Sequence, residues 1–229
     1  MVVPCPGAAS ILTLPPTRCA RSASLAQVSR TIRGVTASVR AGLAAILLVA
    51  APAFAQRNFS ELYAVLERAD AVVEGAKEPR RVLYVFWDAN CYYCNLTWKA
   101  LQHYEKAGLQ VRWVPVAYQK DNSAALAAAV MGAKDRVAAL RENETRYRAK
   151  SYDGGIKAAA KVPADLAIEL EDNMTLMGRF GMSGTPALVW KDAKGVVRTN
   201  LGLPPLSKLP EITGLPEQKI DDPELAKFR

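Results

Sequence analysis

The stretch that decides the fold reads RVLYVFWDANCYYC and occupies residues 81–94. Its first part, Arg81–Trp87, is dense in β-branched and aromatic residues, which predicts a strand buried on both faces. Asp88–Asn90 predict a turn, and the apolar spacing from Cys91 onward predicts a helix that ends at Gly108. The stretch therefore predicts a cysteine pair at a strand-to-helix turn.

The position of the two cysteines on the predicted helix makes them unequal. Cys91 falls at the helix N-terminus, where unpaired backbone N–H groups and the positive end of the helix dipole favour a thiolate over a thiol. Cys94 lies one turn further in and is expected to be less exposed. The spacing thus predicts Cys91 as the nucleophile and Cys94 as the resolving thiol.

Three further strands are predicted downstream. Residues 108–116 form a second strand and complete a strand–helix–strand unit. Thr185 and Pro186 open a third apolar strand, and Val196–Thr199 form a fourth after a turn. A proline that enters a buried strand has no N–H for the ladder, so either a cis bond beside a binding surface or an ordinary trans proline at a strand start is expected.

The first 55 residues have the features of a signal peptide. They contain five arginines and no acidic residue, and an apolar run over residues 41–50 is followed by small residues at Ala53 and Ala55. The alternative of a membrane anchor is disfavoured, because the run is shorter than the roughly 20 residues that cross a bilayer. We expect cleavage after Ala55, a soluble mature chain with no membrane span, and a periplasmic location.

The charge of the chain argues against a polyanionic partner. The formal net charge is +8, but without the five arginines of the leader the chain has 25 basic and 22 acidic side chains. This near balance predicts no binding to nucleic acid.

Cleavage would leave Cys91 and Cys94 as the two cysteines of the mature chain. A structural disulfide is a poor interpretation, because closing so short a loop restrains the unfolded chain very little. A zinc site needs four ligands, and the mature chain offers these two thiols and one imidazole, His103. We therefore predict a redox-active pair, with no cofactor and no metal.

Several segments together resemble the DsbC/DsbG family of periplasmic thiol:disulfide interchange proteins, in the thioredoxin superfamily, with the DsbG side fitting best. These segments are residues 83–94, residues 170–181, the Thr185-Pro186 strand and residues 200–204. The resemblance covers about residues 59–209. It implies an α/β, thioredoxin-like fold with a helical insertion, at about residues 122–181, between the strand–helix–strand unit and a Thr-cis-Pro β-hairpin.

The resemblance also implies roles for individual residues. Cys91 would form the mixed disulfide with a substrate, and Cys94 would release it. Thr185 and Pro186 would lie beside the pair and offer main-chain hydrogen bonds to a bound peptide. Beside these carried-over roles, we expect the two residues between the cysteines, Tyr92 and Tyr93, to tune the redox potential and to bind the substrate. The implied partners are cysteine-containing exported proteins and a membrane redox partner that resets the pair.

Two departures from the family pattern stand out. Only residues 56–75 separate the predicted cleavage site from the first strand, so we expect a linker helix at 56–77, a catalytic domain at 78–212, a C-terminal tail at 213–229 and no N-terminal dimerisation domain. Without that domain, a DsbA-like disulfide oxidant is an alternative to an isomerase. In addition, Val85 occupies the position at which thioredoxin has a buried aspartate, and the nearest acid is Asp88.

The remaining segments predict helices and two further functional alternatives. Helices are expected over residues 123–150 and 163–180, and the charged run Arg141–Lys150 predicts a solvated helix face. Core filling is the favoured interpretation for three methionines: Met174, Met177 and Met182. A non-enzymatic chaperone or binding module with a closed disulfide is a second hypothesis. Copper transfer ranks last, because no histidine lies in a convincing place.

Overall fold

The computed structural model describes residues 59–229. The predicted signal peptide, residues 1–55, lies outside the described residues. A helix, α1, covers residues 59–66. The further elements, in chain order, are β1 Val72–Gly75, β2 Arg81–Trp87, α2 Tyr92–Glu105, β3 Leu109–Pro115, α3 Ser123–Met131, α4 Arg136–Thr145, α5 Ala164–Arg179, β4 Ala187–Lys191, β5 Val197–Leu201 and α6 Leu209–Thr213.

The strands form one five-stranded sheet in the order β1-β3-β2-β4-β5. β2 and β3 are parallel, and β1, β4 and β5 each pair antiparallel with a neighbour. Because β2 has a partner on both sides and lies in the centre, its residues are apolar without alternation. The α/β prediction is confirmed: α3, α4 and α5 lie in sequence between the β2–α2–β3 unit and the β4–β5 hairpin.

Side chains on the two faces of the sheet belong to two apolar cores. Along β2, Val85 and Trp87 belong to the core that contains α2, whereas Tyr84 and Phe86 belong to the core that contains α1 and the second half of α5. This alternation follows from the two-residue period of a strand. Two of the methionines, Met177 and Met182, are buried in the second core, as predicted, and Met174 packs against it.

The predicted linker helix is wrong in its second half. The helix ends at residue 66, and Val72–Gly75 form the edge strand β1. The side chains of this strand are alternately buried and exposed, and Val72 pairs with Trp113 of β3. β-branched residues that alternate in burial favour a strand, and β3 offers a free edge to it. The sheet thus begins before residue 78, the expected start of the catalytic domain.

Two other segments differ from the sequence prediction. The helix predicted over residues 123–150 is divided into α3 and α4, and the Asp135 side chain caps α4 by accepting from the Ala138 amide at 2.9 Å. The C-terminal segment 213–229 was expected to be an extended tail. Instead, Leu215, Ile220 and Leu225 are buried in the core that contains α2. Burial of these apolar side chains favours packing of the segment against the domain.

No helix within residues 59–229 is long and apolar enough to span a membrane.

Candidate active site

The two cysteines occupy the junction between β2 and α2. Cys91 is the N-cap residue of α2, and its sulfur accepts a hydrogen bond from the Cys94 amide at 3.2 Å. Cys91 is 4% exposed and Cys94 is fully buried, and both are free thiols. The side chain at the cap is therefore the one that a substrate can reach.

The surroundings of the two thiols shift their pKa values in opposite directions. The pKa of Cys91 is lowered, chiefly because the Cys94 thiol donates a hydrogen bond to it, with help from Thr185 and the Cys94 amide. The pKa of Cys94 is raised, chiefly by burial and then by its bond to Cys91. Cys91 is thus the thiol that ionises more readily, which is the order of reactivity that the helix position predicts.

The Thr185-Pro186 segment lies directly beside the cysteine pair. Its peptide bond is cis, and it leads into β4. The Thr185 carbonyl oxygen is 3.3 Å from the Cys91 sulfur, although 94 residues separate them in sequence. Pro186 is buried and Thr185 is half-buried. Tyr92 is half-buried and Tyr93 is half-exposed next to this segment, so the structure brings all six predicted site residues into one region.

Tyr118 is a site residue that sequence reasoning missed. Its hydroxyl accepts from the Thr185 amide at 2.7 Å and bonds the Thr185 hydroxyl at 2.9 Å. Tyr118 follows the end of β3, which runs parallel to β2, and the carboxyl ends of parallel strands meet at one edge of a sheet. That rule was the available signal, because Cys91 follows β2 at the same edge.

Replacing Tyr118 with phenylalanine tests this contact. The change removes the hydroxyl that accepts a hydrogen bond from the Thr185 amide. The main chain at Thr185, beside Cys91, would then be less well ordered. A hydrogen bond of this kind is worth about 1 kcal/mol, so we expect KM for a disulfide-containing peptide to rise about fivefold with kcat nearly unchanged. Tyr152→Phe removes a hydroxyl from the same rim without this contact and serves as the control. An unchanged KM in Tyr118→Phe would show that the Thr185 main chain does not hold the substrate.

The turn before the cysteines is fixed by the buried Asp88 carboxylate. One of its oxygens accepts from the amides of Tyr118 and Gln119 at 2.8 and 3.0 Å. The other accepts from the Asn90 amide and the Ser123 hydroxyl, both at 2.9 Å. Asp88, the acid that the sequence placed nearest to the pair, thus ties the β2–α2 turn to the β3–α3 turn.

Aromatic rings surround the opening to Cys91. The Tyr92 ring lies 5.5 Å from that of Tyr93, 6.3 Å from that of Tyr147 and 5.8 Å from that of Tyr152, measured between centroids. Tyr93 is 50% exposed and Tyr152 is 56% exposed. A groove of about 190 Å³ passes between Cys91, Tyr152 and Thr185. Such rings suit an extended peptide, because they bury large apolar area at little entropic cost.

The charged run Arg141–Lys150 is not a uniformly solvated helix face, and that prediction is wrong. Asn143 and Glu144 are buried, and Tyr147 reaches the turn before Cys91, where its hydroxyl donates to the Asn90 carbonyl at 2.7 Å. The inward-facing residues recur at helical spacing, so polar side chains continue the buried face of the helix that an apolar residue begins. This spacing was the sequence signal that they are buried. These residues are Leu140, Asn143, Glu144 and Tyr147.

Within residues 59–229, no group of three or more histidine, cysteine, aspartate or glutamate side chains is placed to hold a metal ion. His103, the imidazole considered in the sequence, lies in the last turn of α2 and is half-buried.

Comparison with known proteins places these features in a family. Residues 66–209 match the thioredoxin-like domain. The thiol:disulfide interchange protein DsbG of Pseudomonas aeruginosa is 32% identical over 155 residues, which are 67% of this chain and 59% of that protein. DsbG of Escherichia coli is 29% identical over 159 residues, 67% of this chain and 61% of that protein. DsbC of Haemophilus influenzae is 31% identical over 122 residues, 52% of this chain and 48% of that protein.

The chain thus spans about 60% of the length of its DsbG relatives. Among solved structures, a linker-deletion variant of Proteus mirabilis ScsC superposes with a TM-score of 0.50 at 21% identity, covering 80% of this chain and 92% of that one. This likeness shows the fold. The family match over residues 66–209 shows that the chain belongs to the thioredoxin-like domain family, and within these residues its sequence is similar to the DsbG and DsbC proteins.

Proposed function

We propose that the protein is a periplasmic thiol:disulfide oxidoreductase or isomerase that acts on cysteines of exported proteins through the Cys91-Tyr-Tyr-Cys94 pair. The observation that carries the proposal is the asymmetry of the pair. Cys91 has a lowered pKa and borders the groove, while Cys94 is buried beneath it with a raised pKa. A nucleophile that is ionised and a second thiol that stays protonated until needed are the requirements of two-step exchange.

In the reductive direction, the Cys91 thiolate attacks one sulfur of a substrate disulfide. A mixed disulfide forms, and the second substrate sulfur leaves as a thiolate and takes up a proton. Cys94 then loses its proton and attacks the Cys91 sulfur, which releases the first substrate sulfur as a thiolate. Two electrons pass to the substrate and the Cys91–Cys94 disulfide remains. Oxidation is the reverse sequence, and isomerisation ends when a substrate thiolate resolves the mixed disulfide instead.

The substrate surface proposed here is formed by Thr185, Pro186, Tyr92 and Tyr93. The Thr185 carbonyl lies at the Cys91 sulfur, so a peptide bonded to Cys91 would meet this main chain first. The Tyr92 and Tyr93 rings line the same groove as Thr185. The surface recognises an extended backbone and apolar side chains, which is suited to cysteines in incompletely folded proteins.

The location and the resetting partner belong to the same proposal. Support for export comes from the sequence pattern of residues 41–55. Turnover requires that the Cys91–Cys94 pair be returned to its starting redox state, and we propose a membrane redox partner for this step.

The redox equilibrium of the protein with glutathione tests the proposal. Cys91 and Cys94 are trapped by alkylation at a series of glutathione ratios and counted by mass, with Cys94→Ala as the control that cannot close the disulfide. We expect a potential within roughly −100 to −230 mV, the range of exchange catalysts. A value below about −300 mV would mean a permanently closed disulfide, and would favour the non-enzymatic binding module instead. Within the expected range, the least negative values favour a DsbA-like oxidant.

A further inference from the structure

The helical insertion holds the turn before the cysteine pair through polar contacts. The Asn143 side chain, on α4, donates to the Ala89 carbonyl at 3.0 Å. The Tyr147 hydroxyl, just beyond α4, donates to the Asn90 carbonyl at 2.7 Å. These carbonyls belong to the two residues that immediately precede Cys91, so the insertion fixes the approach of the chain to the nucleophile.

The third contact of the insertion is made by a buried carboxylate on α4. Glu144 is 2% exposed, and its Oε1 accepts from the Trp87 indole at 2.8 Å and from Asn143 at 3.0 Å. Its Oε2 accepts from the Asn95 side chain at 2.9 Å, and the same Asn95 nitrogen donates to the Glu144 backbone carbonyl at 2.7 Å. Trp87 is the last residue of β2, and Asn95 directly follows Cys94. The carboxylate therefore joins the two elements between which the cysteines lie.

We propose that Glu144 is a positioning residue for the redox pair, supplied by the helical insertion. The inference rests on the proposed exchange function and deepens it. The Cys94 amide stabilises the Cys91 sulfur from 3.2 Å, and the Asn95 amide donates to the Cys91 carbonyl at 3.1 Å. By anchoring the Asn95 side chain, Glu144 holds this first helical turn in the conformation that aims the Cys94 N–H at the nucleophile.

A positioning role and a purely electrostatic role of Glu144 predict opposite changes in the pKa of Cys91 when Glu144 is replaced. A negative charge disfavours a thiolate near it, so loss of the charge alone would lower the pKa of Cys91. Loss of the anchor would instead raise the pKa of Cys91, because the Cys94 amide would be less well aimed. The sign of the change therefore separates the two roles.

Burial and the groups that face Glu144 set the pKa of its carboxyl group. Burial is the largest effect on the pKa of Glu144, which is raised to about 7. Asn95, Asn143 and Trp87 lower this pKa by donating hydrogen bonds, and the charge of Glu74, on β1, raises it. Tyr147, just beyond α4, is the other facing group: burial is the largest cause that raises the pKa of its phenol, and the charges of Cys91, Glu144 and Cys94 raise it further. The carboxylate is ionised above neutral pH, so the anchor is complete in weakly alkaline solution.

Two variants break the anchor in different ways. In Glu144→Gln the remaining oxygen can keep its bonds to Trp87 and Asn143, but the amide nitrogen then faces the Asn95 nitrogen, and two donors cannot bond. Asn95→Ala removes the partner and leaves the Glu144 carboxyl group in place. Glu142→Gln is the matched control, because Glu142 lies on the same helix, is partly exposed and pairs with Arg146 at 2.6 Å.

The readout is the rate at which iodoacetamide alkylates Cys91 in the reduced full chain, measured from pH 4 to pH 9 with the site confirmed by mass. We expect the midpoint to rise in both Glu144→Gln and Asn95→Ala, so that the rate below the midpoint falls roughly threefold to tenfold while the plateau at high pH is unchanged. Glu142→Gln should match the wild type. A midpoint that falls, or that stays where it is in either folded variant, would overturn the positioning role.

The failure of this inference is distinguishable from failure of the proposed function. If the wild type and Glu142→Gln do not equilibrate with glutathione, exchange itself is wrong. If both equilibrate, and the two anchor variants alkylate like the wild type, only the positioning role is lost. Should Glu144→Gln not fold, Asn95→Ala alone decides, because it keeps the buried carboxylate and its bonds to Trp87 and Asn143.

Discussion

Replacing Cys91 with serine should reduce thiol:disulfide exchange to the uncatalysed rate, whereas replacing Cys94 with serine should preserve the first step and block the second. Cys91 is the thiol with the lowered pKa at the helix cap, and no other free cysteine in residues 59–229 reaches the groove. Cys94 has no access to a substrate, but its sulfur is hydrogen-bonded to that of Cys91 and is placed to resolve a mixed disulfide. Serine is nearly isosteric with cysteine and is a far weaker nucleophile at neutral pH.

Incubation with oxidised glutathione distinguishes the two variants by mass. Cys94→Ser should accumulate a protein carrying one glutathione on Cys91, and Cys91→Ser should carry none on Cys94. In the wild type, Cys91 and Cys94 should form the internal disulfide and carry no stable glutathione adduct. Modification of Cys94 in the Cys91→Ser variant would contradict the division of roles, because it would show that the buried thiol is accessible.

The largest loss of stability is expected for Glu74→Ala, at about 3–5 kcal/mol. The Glu74 side chain is fully buried on β1. Its Oε2 accepts from the indoles of Trp98 and Trp113, each at 3.1 Å, and its Oε1 accepts from Arg141 at 2.7 Å. Alanine would leave two buried indole N–H groups without acceptors, and each unsatisfied donor costs about 1–3 kcal/mol. The contact with α4 would be lost as well.

Urea unfolding, followed by tryptophan fluorescence and circular dichroism, measures this loss. Glu78→Ala is the control, because Glu78 is exposed in the segment between β1 and β2, and it should change the free energy of unfolding by no more than about 0.5 kcal/mol. A loss below about 1 kcal/mol in Glu74→Ala would mean that water replaces the carboxylate at the two indoles.

The prediction from sequence was most successful where the signal is local. The apolar run of β2, the helical spacing of α2 and the turn at Gly108, whose φ is +108°, depend on residues close together in the chain. The inequality of Cys91 and Cys94 follows from the same local geometry, since it needs only a helix start and one turn. The sequence prediction fails where tertiary contacts decide which residues are buried. The residues of β1 were predicted to be helical, and Glu144 was predicted to lie on a solvated helix face.

The sequence by itself determined the strand–turn–helix with its cysteine pair, because periodicity and capping act within a few residues. The tertiary structure decided which distant groups surround that pair. Thr185, which the family resemblance already placed there, arrives with the β4 hairpin, whereas Tyr118 at the end of β3 and Glu144 on a helix of the insertion were found in the structure alone. None of these contacts has a short-range signature, because a polar residue in a charged run is buried only when another element supplies its hydrogen-bond partners.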